Sequence, residues 1–556
     1  MRIIQASKIV LPSIVCIAAW ILPQICTAAA KPPRPNILFA FADDWGRQAS
    51  AYARLDGAGG INDVVSTPNF DQLATAGVLF RNAFVNAPSC TPCRSSLLSG
   101  QYFWRTGRGA ILRGAVWDPK IPSWPLLVRD GGYRIGKSWK VWSPGTPTDA
   151  PFGKQQYAYQ RIGRRINQFS QNVTKLVAGG KSIEQAKQEL LEEVRTNFRA
   201  CLADQQTDQP FCYWYGPTNV HRKWIKGSGR ALWSIEPSSL RGKMPPFLPD
   251  VPAVREDLAD YLGEVQAFDA ALGVLLDELK RSGQYDNTLI VVSGDHGPPG
   301  FPHGKCNLYD FGTRVALAVA GPGVRRGRVV DDFVISPDLA PTFLEAAGVK
   351  TPDVMTARSL WPVLTSSRDG LVDSERTAAF VGRERHVEMA RAGNLPYPQR
   401  AIRTADHLFV INFRPDRYPL GDPYNLDGDN PPSTEELTES TFVTLPDEDA
   451  GPTKAWLVDH RHDPKWKRYF DHAYGKRPRE ELFDLKKDPH QMHNVAADPA
   501  YRLIVSDLRL RLLKELRRSS DPRMVDKGKF FETPPMAGPL PADVPKPNRQ
   551  RKRRTR

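Results

Sequence analysis

The chain has 556 residues, 41% hydrophobic and 25% charged, a composition that excludes a disordered or fibrous protein and exceeds what one ordinary core accommodates. Two domains, or one large domain with an appendage, are expected. The formal charge of +15 is uneven: residues 546–556 hold seven basic residues and no acidic one, behind a Pro-rich stretch from Pro534.

Residues 1–30 read as an export signal. Arg2 and Lys8 give a positive start, residues 9–21 are mostly apolar, and Thr27-Ala28-Ala29-Ala30 offers small residues for cleavage. Pro12, Pro23 and the shortness of the apolar run argue against a membrane anchor. The mature chain is therefore expected in a periplasm or outside the cell, or in a lysosome if the source is eukaryotic. On such a chain the basic end suits contact with an anionic polymer or membrane, or a solubilising role, rather than nucleic acid. Five cysteines lie beyond the signal: Cys90, Cys93, Cys201, Cys212 and Cys306. The spacing of Cys201 and Cys212 permits a disulfide without establishing one.

In chain order, residues 36–42 form an unbroken apolar run, read as a strand buried on both faces, and stop at Asp43-Asp44. Pro68 opens a helix to Ala76. Next comes Cys90-Thr91-Pro92-Cys93-Arg94. Ser182-Ile-Glu-Gln185 is a capping box opening an amphipathic helix to about Ala203. Residues 211–215 form a second buried strand, with His221 in the loop beyond. A long helix over 255–281 feeds a third strand at 288–293, which ends in Gly294-Asp295-His296-Gly297, and residues 315–320 form a fourth. This alternation predicts an α/β sandwich around a mixed, mainly parallel sheet. Asp43, Asp44, Asp295 and His296 then lie beyond the carboxyl ends of strands, where such sheets bind ligands.

The pattern changes after about Gly370. Short strands within 400–412 and at 481–485, and a closing helix over 501–516, predict a smaller α+β subdomain with an antiparallel sheet. The expected boundaries are a main domain over 31–370, the subdomain over 371–520, and a Pro-rich, basic, disordered tail over 521–556.

Alone, Cys90-x-x-Cys93 fits a thioredoxin-like redox pair or half a zinc site. No second Cys pair exists, and a long segment carrying another acidic motif precedes this one. Taken together, Asp43-Asp44, Cys90-Thr-Pro-Cys-Arg94-Ser-Ser-Leu-Leu-Ser-Gly100 and Gly294-Asp-His-Gly297 resemble the motifs of the formylglycine-dependent (type I) sulfatases of the alkaline phosphatase superfamily, over roughly residues 34–515. The resemblance implies an alkaline-phosphatase-like sandwich. It also implies oxidation of Cys90 to formylglycine by a formylglycine-generating enzyme. One hydroxyl of the hydrated aldehyde attacks sulfur and the other later expels sulfate, an exit that unmodified Cys90 lacks. Arg94 would orient that side chain and hold an oxyanion. Asp43, Asp44, Asp295 and His296, with the modified residue 90, would bind calcium, or magnesium, as a Lewis acid on a sulfuryl oxygen.

Further positions follow from the same resemblance. Gly132-Tyr133-Arg134 followed by Lys140-Val-Trp-Ser-Pro-Gly145 matches the segment of the first active-site lysine, here Lys140, with Lys137 as the alternative. The family's usual histidine two or three positions on is missing, since Trp142 and Ser143 stand there, and Trp139 replaces the usual glycine. His221 matches the histidine near the leaving-group oxygen, suited to general acid work. Lys305 matches the second lysine, and Tyr309-Asp310-Phe-Gly312-Thr-Arg314 behind it has the family's spacing. Arg383, Arg385 and His386 loosely resemble a segment of N-sulfoglucosamine sulfohydrolases, whereas the Lys140 segment is similar to iduronate-2-sulfatases. These arginines suit a uronate carboxylate or a neighbouring sulfate, and a salt-bridge network explains them as well. The expected activity is sulfate hydrolysis on sulfated polysaccharide or glycosaminoglycan fragments. The alternatives are a formylglycine-bearing phosphonate or phosphate ester hydrolase, and a non-catalytic glycan-binding protein with unmodified Cys90. Two-zinc relatives are a poor match, because they need several His ligands and the chain has ten histidines in all.

Overall fold

The computed structural model describes residues 34–539. The expected export signal and the basic stretch 546–556 lie outside them. Among the described residues no helix is long and apolar enough to cross a membrane.

Seven strands form the main sheet: β1 (Asn36–Ala42), β2 (Val78–Phe84), β3 (Arg134–Trp139), β4 (Phe211–Gly216), β5 (Thr288–Gly294), β6 (Leu317–Ala320) and β7 (Arg328–Ile335), in the order β3-β4-β1-β5-β6-β2-β7. Pairing is parallel except where β6 meets β5 and β2. The central strands are apolar throughout because both faces are covered. Leu38, Ala40, Tyr213 and Tyr215 point into one core, closed by the helices Ile183–Ala203 and Pro252–Arg281. Ile37, Phe39, Phe41 and Trp214 point into the other, beneath the helices Trp124–Asp130 and Leu339–Ala346. The capping box is present in full: Gln185 N donates to Ser182 Oγ (3.2 Å) and Ser182 N to Gln185 Oε1 (3.0 Å).

The pleat also settles the disulfide question. Cys212 lies on the β4 face that carries Trp214, whereas Cys201 packs in the opposite core with Tyr213. A sheet separates the two sulfurs, and all five described cysteines are free thiols.

The second sheet is antiparallel, in the order β11-β10-β9-β8, from β8 (Ala378–Arg383), β9 (Gln399–Thr404), β10 (His407–Asn412) and β11 (Glu480–Asp484). One face packs on the helix Arg502–Arg518 through Ile402, Phe409 and Leu482 against Leu508 and Leu512. The other packs on Phe84, Leu308, Tyr309 and Phe333 of the first layer through Ala379, Val381 and Leu408. The residues just after 520 differ from the expected tail. Asp521 and Arg523 are buried against Arg400 and Glu384, Phe531 and Met536 enter the core, and short helices form at Pro522–Val525 and Lys529–Glu532. Their composition is polar and Pro-rich, but Asp521, Arg523 and Glu532 each pair with a buried charged partner.

Candidate active site

β1 and β5 run parallel and in register, with Ala42 opposite Gly294, so Asp43-Asp44 and Asp295-His296 leave the sheet side by side. Both glycines of the second turn are steric necessities. A Cβ on Gly294 would lie 2.0 Å from Trp45 O, and one on Gly297 1.8 Å from Phe311 O. Asp44 adopts a left-handed conformation (φ 60°), which aspartate tolerates better than most residues. Its N–H donates to Asp295 Oδ1 (2.8 Å) and its carbonyl accepts from Tyr261 OH (3.2 Å). His296 Nε2 is 3.2 Å from Asp44 Oδ1 and 3.5 Å from Asp295 Oδ1.

The helix Cys90–Ser99 begins at Cys90, so the positive end of its dipole lies at these carboxylates. Cys90 Sγ is 3.3 Å from His296 Nε2, and Cys90 itself is only 3% exposed. Burial, reinforced by Asp43, pushes its thiol well above the usual cysteine range, which makes the unmodified side chain a poor nucleophile. Arg94, one turn later on the same helix face, donates Nε to Asp295 Oδ2 (2.9 Å) and Nη2 to Asp43 Oδ1 (3.2 Å). Its Nη1 reaches the carbonyls of Lys140 and Val141 (3.3 Å each). One planar guanidinium thus fixes the ends of β1 and β5 and the loop after β3.

That loop brings in Lys140, whose Nζ lies 2.6 and 2.7 Å from the two oxygens of Asp43. Burial works to raise the Asp43 carboxyl, but Lys140 and then Arg94 outweigh it and hold the group well below the usual range. Lys137 points elsewhere, paired with Asp149 (2.8 Å). Trp142 turns its indole N–H to Ser95 Oγ (2.8 Å), further along the Cys90 helix. His221, in the loop after β4, donates Nδ1–H to its neighbour's carbonyl at Arg222 (2.5 Å) and presents Nε2 to Lys305 Nζ (3.3 Å) and Asp44 Oδ2 (3.6 Å). Lys305 Nζ in turn lies 3.2 Å from Asp44 Oδ2.

The residues named from the smaller subdomain are placed unequally. Arg383 is tied to Asp447 Oδ2 (2.6 Å) and Pro419 O (2.9 Å). Arg385 donates Nη2 to Arg113 O (2.6 Å), while its buried Nε and Nη1 have no hydrogen-bond partner among the described residues. Burial pushes its guanidinium down to about 10. His386 Nδ1 bonds Ser89 Oγ (2.8 Å), directly before Cys90, and burial pushes its imidazole down to about 3. Two residues at the site carry no sequence signal at all, Ser89 and Asp449. Asp449 Oδ2 is 3.1 Å from Lys305 Nζ.

Three donor sets have ligand atoms within 4.8 Å of one another: Asp44, Cys90 and His296; Asp43, Cys90 and Asp295; and Asp43, Asp44 and His221. Buried, oxygen-rich and anionic, this cluster has the donor chemistry of a hard divalent-cation site.

A family model described as Sulfatase matches residues 35–349. The chain belongs to the sulfatase family. It is a sulfuric ester hydrolase of the alkaline phosphatase superfamily, and membership implies metal-dependent formylglycine chemistry. This sulfatase is 29% identical over 527 residues to N-sulphoglucosamine sulphohydrolase of Homo sapiens, covering 91% of this chain and 94% of that protein. A solved structure from work on glycosaminoglycan metabolism in Bacteroides thetaiotaomicron is similar with a TM-score of 0.61 at 19% identity, covering 89% of the sulfatase and 98% of that chain. A phosphonate monoester hydrolase of Agrobacterium radiobacter is similar with a TM-score of 0.57 at 20% identity, covering 88% and 97%. At these identities the two structural likenesses concern the fold.

Proposed function

We propose that this sulfatase is an exported enzyme that removes sulfate from glycosaminoglycan or other sulfated polysaccharide fragments, with Cys90 converted to formylglycine and Asp43, Asp44, Asp295 and His296 holding a calcium ion. The observation that carries the reading is the meeting of Cys90, three carboxylates and three cations at one buried point. Arg94, Lys140 and Lys305 balance Asp43, Asp44 and Asp295 one for one. A divalent cation therefore makes the cluster net positive and attractive to a sulfate ester, even with Asp449 nearby.

The hydrated aldehyde at residue 90 supplies the nucleophilic oxygen, and the bound cation supplies Lewis-acid polarisation of the sulfuryl group. The chain's own residues do the rest. Arg94 fixes the geometry at residue 90, and Lys140 and Lys305 offer ammonium groups to sulfuryl oxygens. His221, its Nδ1–H held by the Arg222 carbonyl, uses Nε2 to protonate the leaving oxygen or nitrogen. A basic cavity of about 380 Å³ that includes His221, Arg164, Arg165 and Lys223 suits an anionic sugar on the leaving-group side. The full-length similarity to the human N-sulphoglucosamine sulphohydrolase favours the N-sulfate of glucosamine as the first substrate to try.

The test is mass spectrometry of the alkylated tryptic peptide 82–94 from the native host, followed by assay on N-, 2-O- and 6-O-sulfated disaccharides. An aldehyde at 90, one alkylated cysteine at 93 and sulfate release from at least one disaccharide are expected. Two alkylated cysteines and no release would overturn the proposal. Release from a phosphonate monoester alone would favour the phosphonate hydrolase instead.

A further inference from the structure

A second basic cavity lies apart from the Cys90 cluster. It measures about 590 Å³ and is lined by Arg47, Arg314, Met244, Phe247 and Phe311, with the run Gly57-Ala58-Gly59-Gly60 at its rim. Arg47 is 8% exposed and stacks on Tyr52, its Cζ 3.9 Å from the ring centre. One of its nitrogens pairs with Asp56, but Nε and Nη2 are buried with no hydrogen-bond partner among the described residues. A buried guanidinium with two unmet donors costs free energy that an acceptor would recover.

The surrounding charges do not supply that acceptor. Asp310, a half-buried carboxylate that also lines the cavity, is gripped in bidentate fashion by Arg403 (2.8 Å on each oxygen). Arg314 stays 3.8 Å from it and bonds the neutral carbonyl of Arg81 instead (2.7 Å). Lys243 and Asp63 face each other at 3.6 Å. Arg47, Lys243, Arg314 and Arg403 therefore outnumber Asp56, Asp63 and Asp310, and one positive charge is uncompensated. Burial, and then the closeness of Arg47, pushes the Arg314 guanidinium down to about 9, with Asp310 offsetting only part of the effect. The remaining lining is mixed: Phe311 and Met244 are half-buried, Phe247 is 3% exposed and stacks on His303, and Ile61, Asn62, Pro489 and His490 stand beside the glycines.

We propose that this cavity is a second anion site of the sulfatase, with Arg47 and Arg314 binding a sulfate or carboxylate group carried on a sugar ring and the half-buried Phe311 receiving the ring. The oxyanion part stands on the cavity alone, and the sugar part rests on the substrate class proposed above. Its role would be to hold a second anionic unit of the polymer, or of a neighbouring strand, away from the site of hydrolysis.

The test is thermal unfolding of the full chain in a Cys90→Ala/Lys305→Ala background, which stops turnover and weakens anion binding at the first site. Sodium sulfate is titrated against sodium chloride at matched ionic strength, in a low-millimolar range where general salting effects are small. The background protein should show a saturating rise in Tm of about 1–2 °C. Adding Arg47→Gln should abolish that rise. Ala58→Asp, which places a carboxylate at the exposed rim and leaves the Arg47 contacts intact, should abolish it too and guards against a folding defect in Arg47→Gln. No saturating rise in the background, or an equal rise in both added variants, overturns the site. A heparin-derived disaccharide should saturate at a concentration at least tenfold lower than inorganic sulfate. Saturation at the same concentration overturns the sugar part and assigns the site to free sulfate.

Discussion

Lys305 Nζ stands 3.2 Å from Asp44 Oδ2 and 3.1 Å from Asp449 Oδ2, so one lysine bridges a carboxylate at the end of β1 and another from the segment between β10 and β11. Burial works against the ammonium, but Asp44 and Asp449 hold it charged, well above the usual lysine range. On the proposed mechanism, Asp449 would also compete with sulfate for that cation. Replacing Asp449 by Asn keeps the shape and removes one negative charge, so free sulfate should inhibit roughly tenfold more tightly. An unchanged inhibition constant would show that the sulfate position does not feel Asp449.

His221 offers a sharper kinetic test. In His221→Asn, turnover of a sugar sulfate should fall by roughly 10²–10⁴, because the leaving group must be protonated. A nitrophenyl sulfate, whose leaving group departs as a stable anion, should lose far less. Equal losses on both substrates would assign His221 to binding rather than proton transfer.

The proposed calcium site can be tested without activity. Added calcium should raise the Tm of the chelator-treated protein, and Asp44→Asn should remove most of that rise, since a ligand that binds only the folded state stabilises it by mass action. If the variant responds like the parent, the ion binds elsewhere.

Glu264 predicts a pH effect on stability. It lies beneath the His221 loop, accepting from Ser170 N (3.2 Å) and the Asn219 amide, and burial pushes its carboxyl up to about 7 from an ordinary 4.5. A carboxyl raised on folding contributes fully below about pH 4.5, and that contribution is lost as the pH rises through 7. The loss is worth up to about 3 kcal/mol at 1.4 kcal/mol per tenfold change in affinity. Glu264→Gln should therefore lose less stability than the parent between pH 5 and pH 8 in urea unfolding. Parallel losses would mean that Glu264 does not titrate in this range.

Arg94→Lys keeps a charge but cannot reach Asp43, Asp295 and two carbonyls at once. It should destabilise the fold by about 3–5 kcal/mol, the usual consequence of leaving buried carboxylates short of a partner. A change under 1 kcal/mol would mean that Lys140 alone suffices to compensate them.

Why some of this was legible in the sequence, and some not, comes down to burial and distance. β1, β4 and β5 show as apolar runs because helices cover the sheet on both faces. β7 and β8 do not. β7 is an edge strand that carries Asp331 and Asp332, one paired with Arg81 and the other accepting from Val372 N and Asp373 N. The ends of β1 and β5 and the Cys90 helix are local in sequence, so their residues can be named from motifs. Asp449 and the Ser89–His386 pair meet the site only through packing of the second sheet. The Cys201–Cys212 spacing says nothing of which side of a strand each thiol faces.

The helix from Cys90 to Ser99 is buried along its whole length. That makes the proposed oxidation a matter of timing. An enzyme that must grip the backbone around residue 90 can do so only while this stretch is still extended, and tertiary packing ends the opportunity. Material folded in a cell without the converting enzyme should stay inactive when that enzyme is added afterwards, and should respond only if it is first unfolded. Maturation is in this sense a race between chemistry and folding, and the fraction of active molecules in any preparation records which one won.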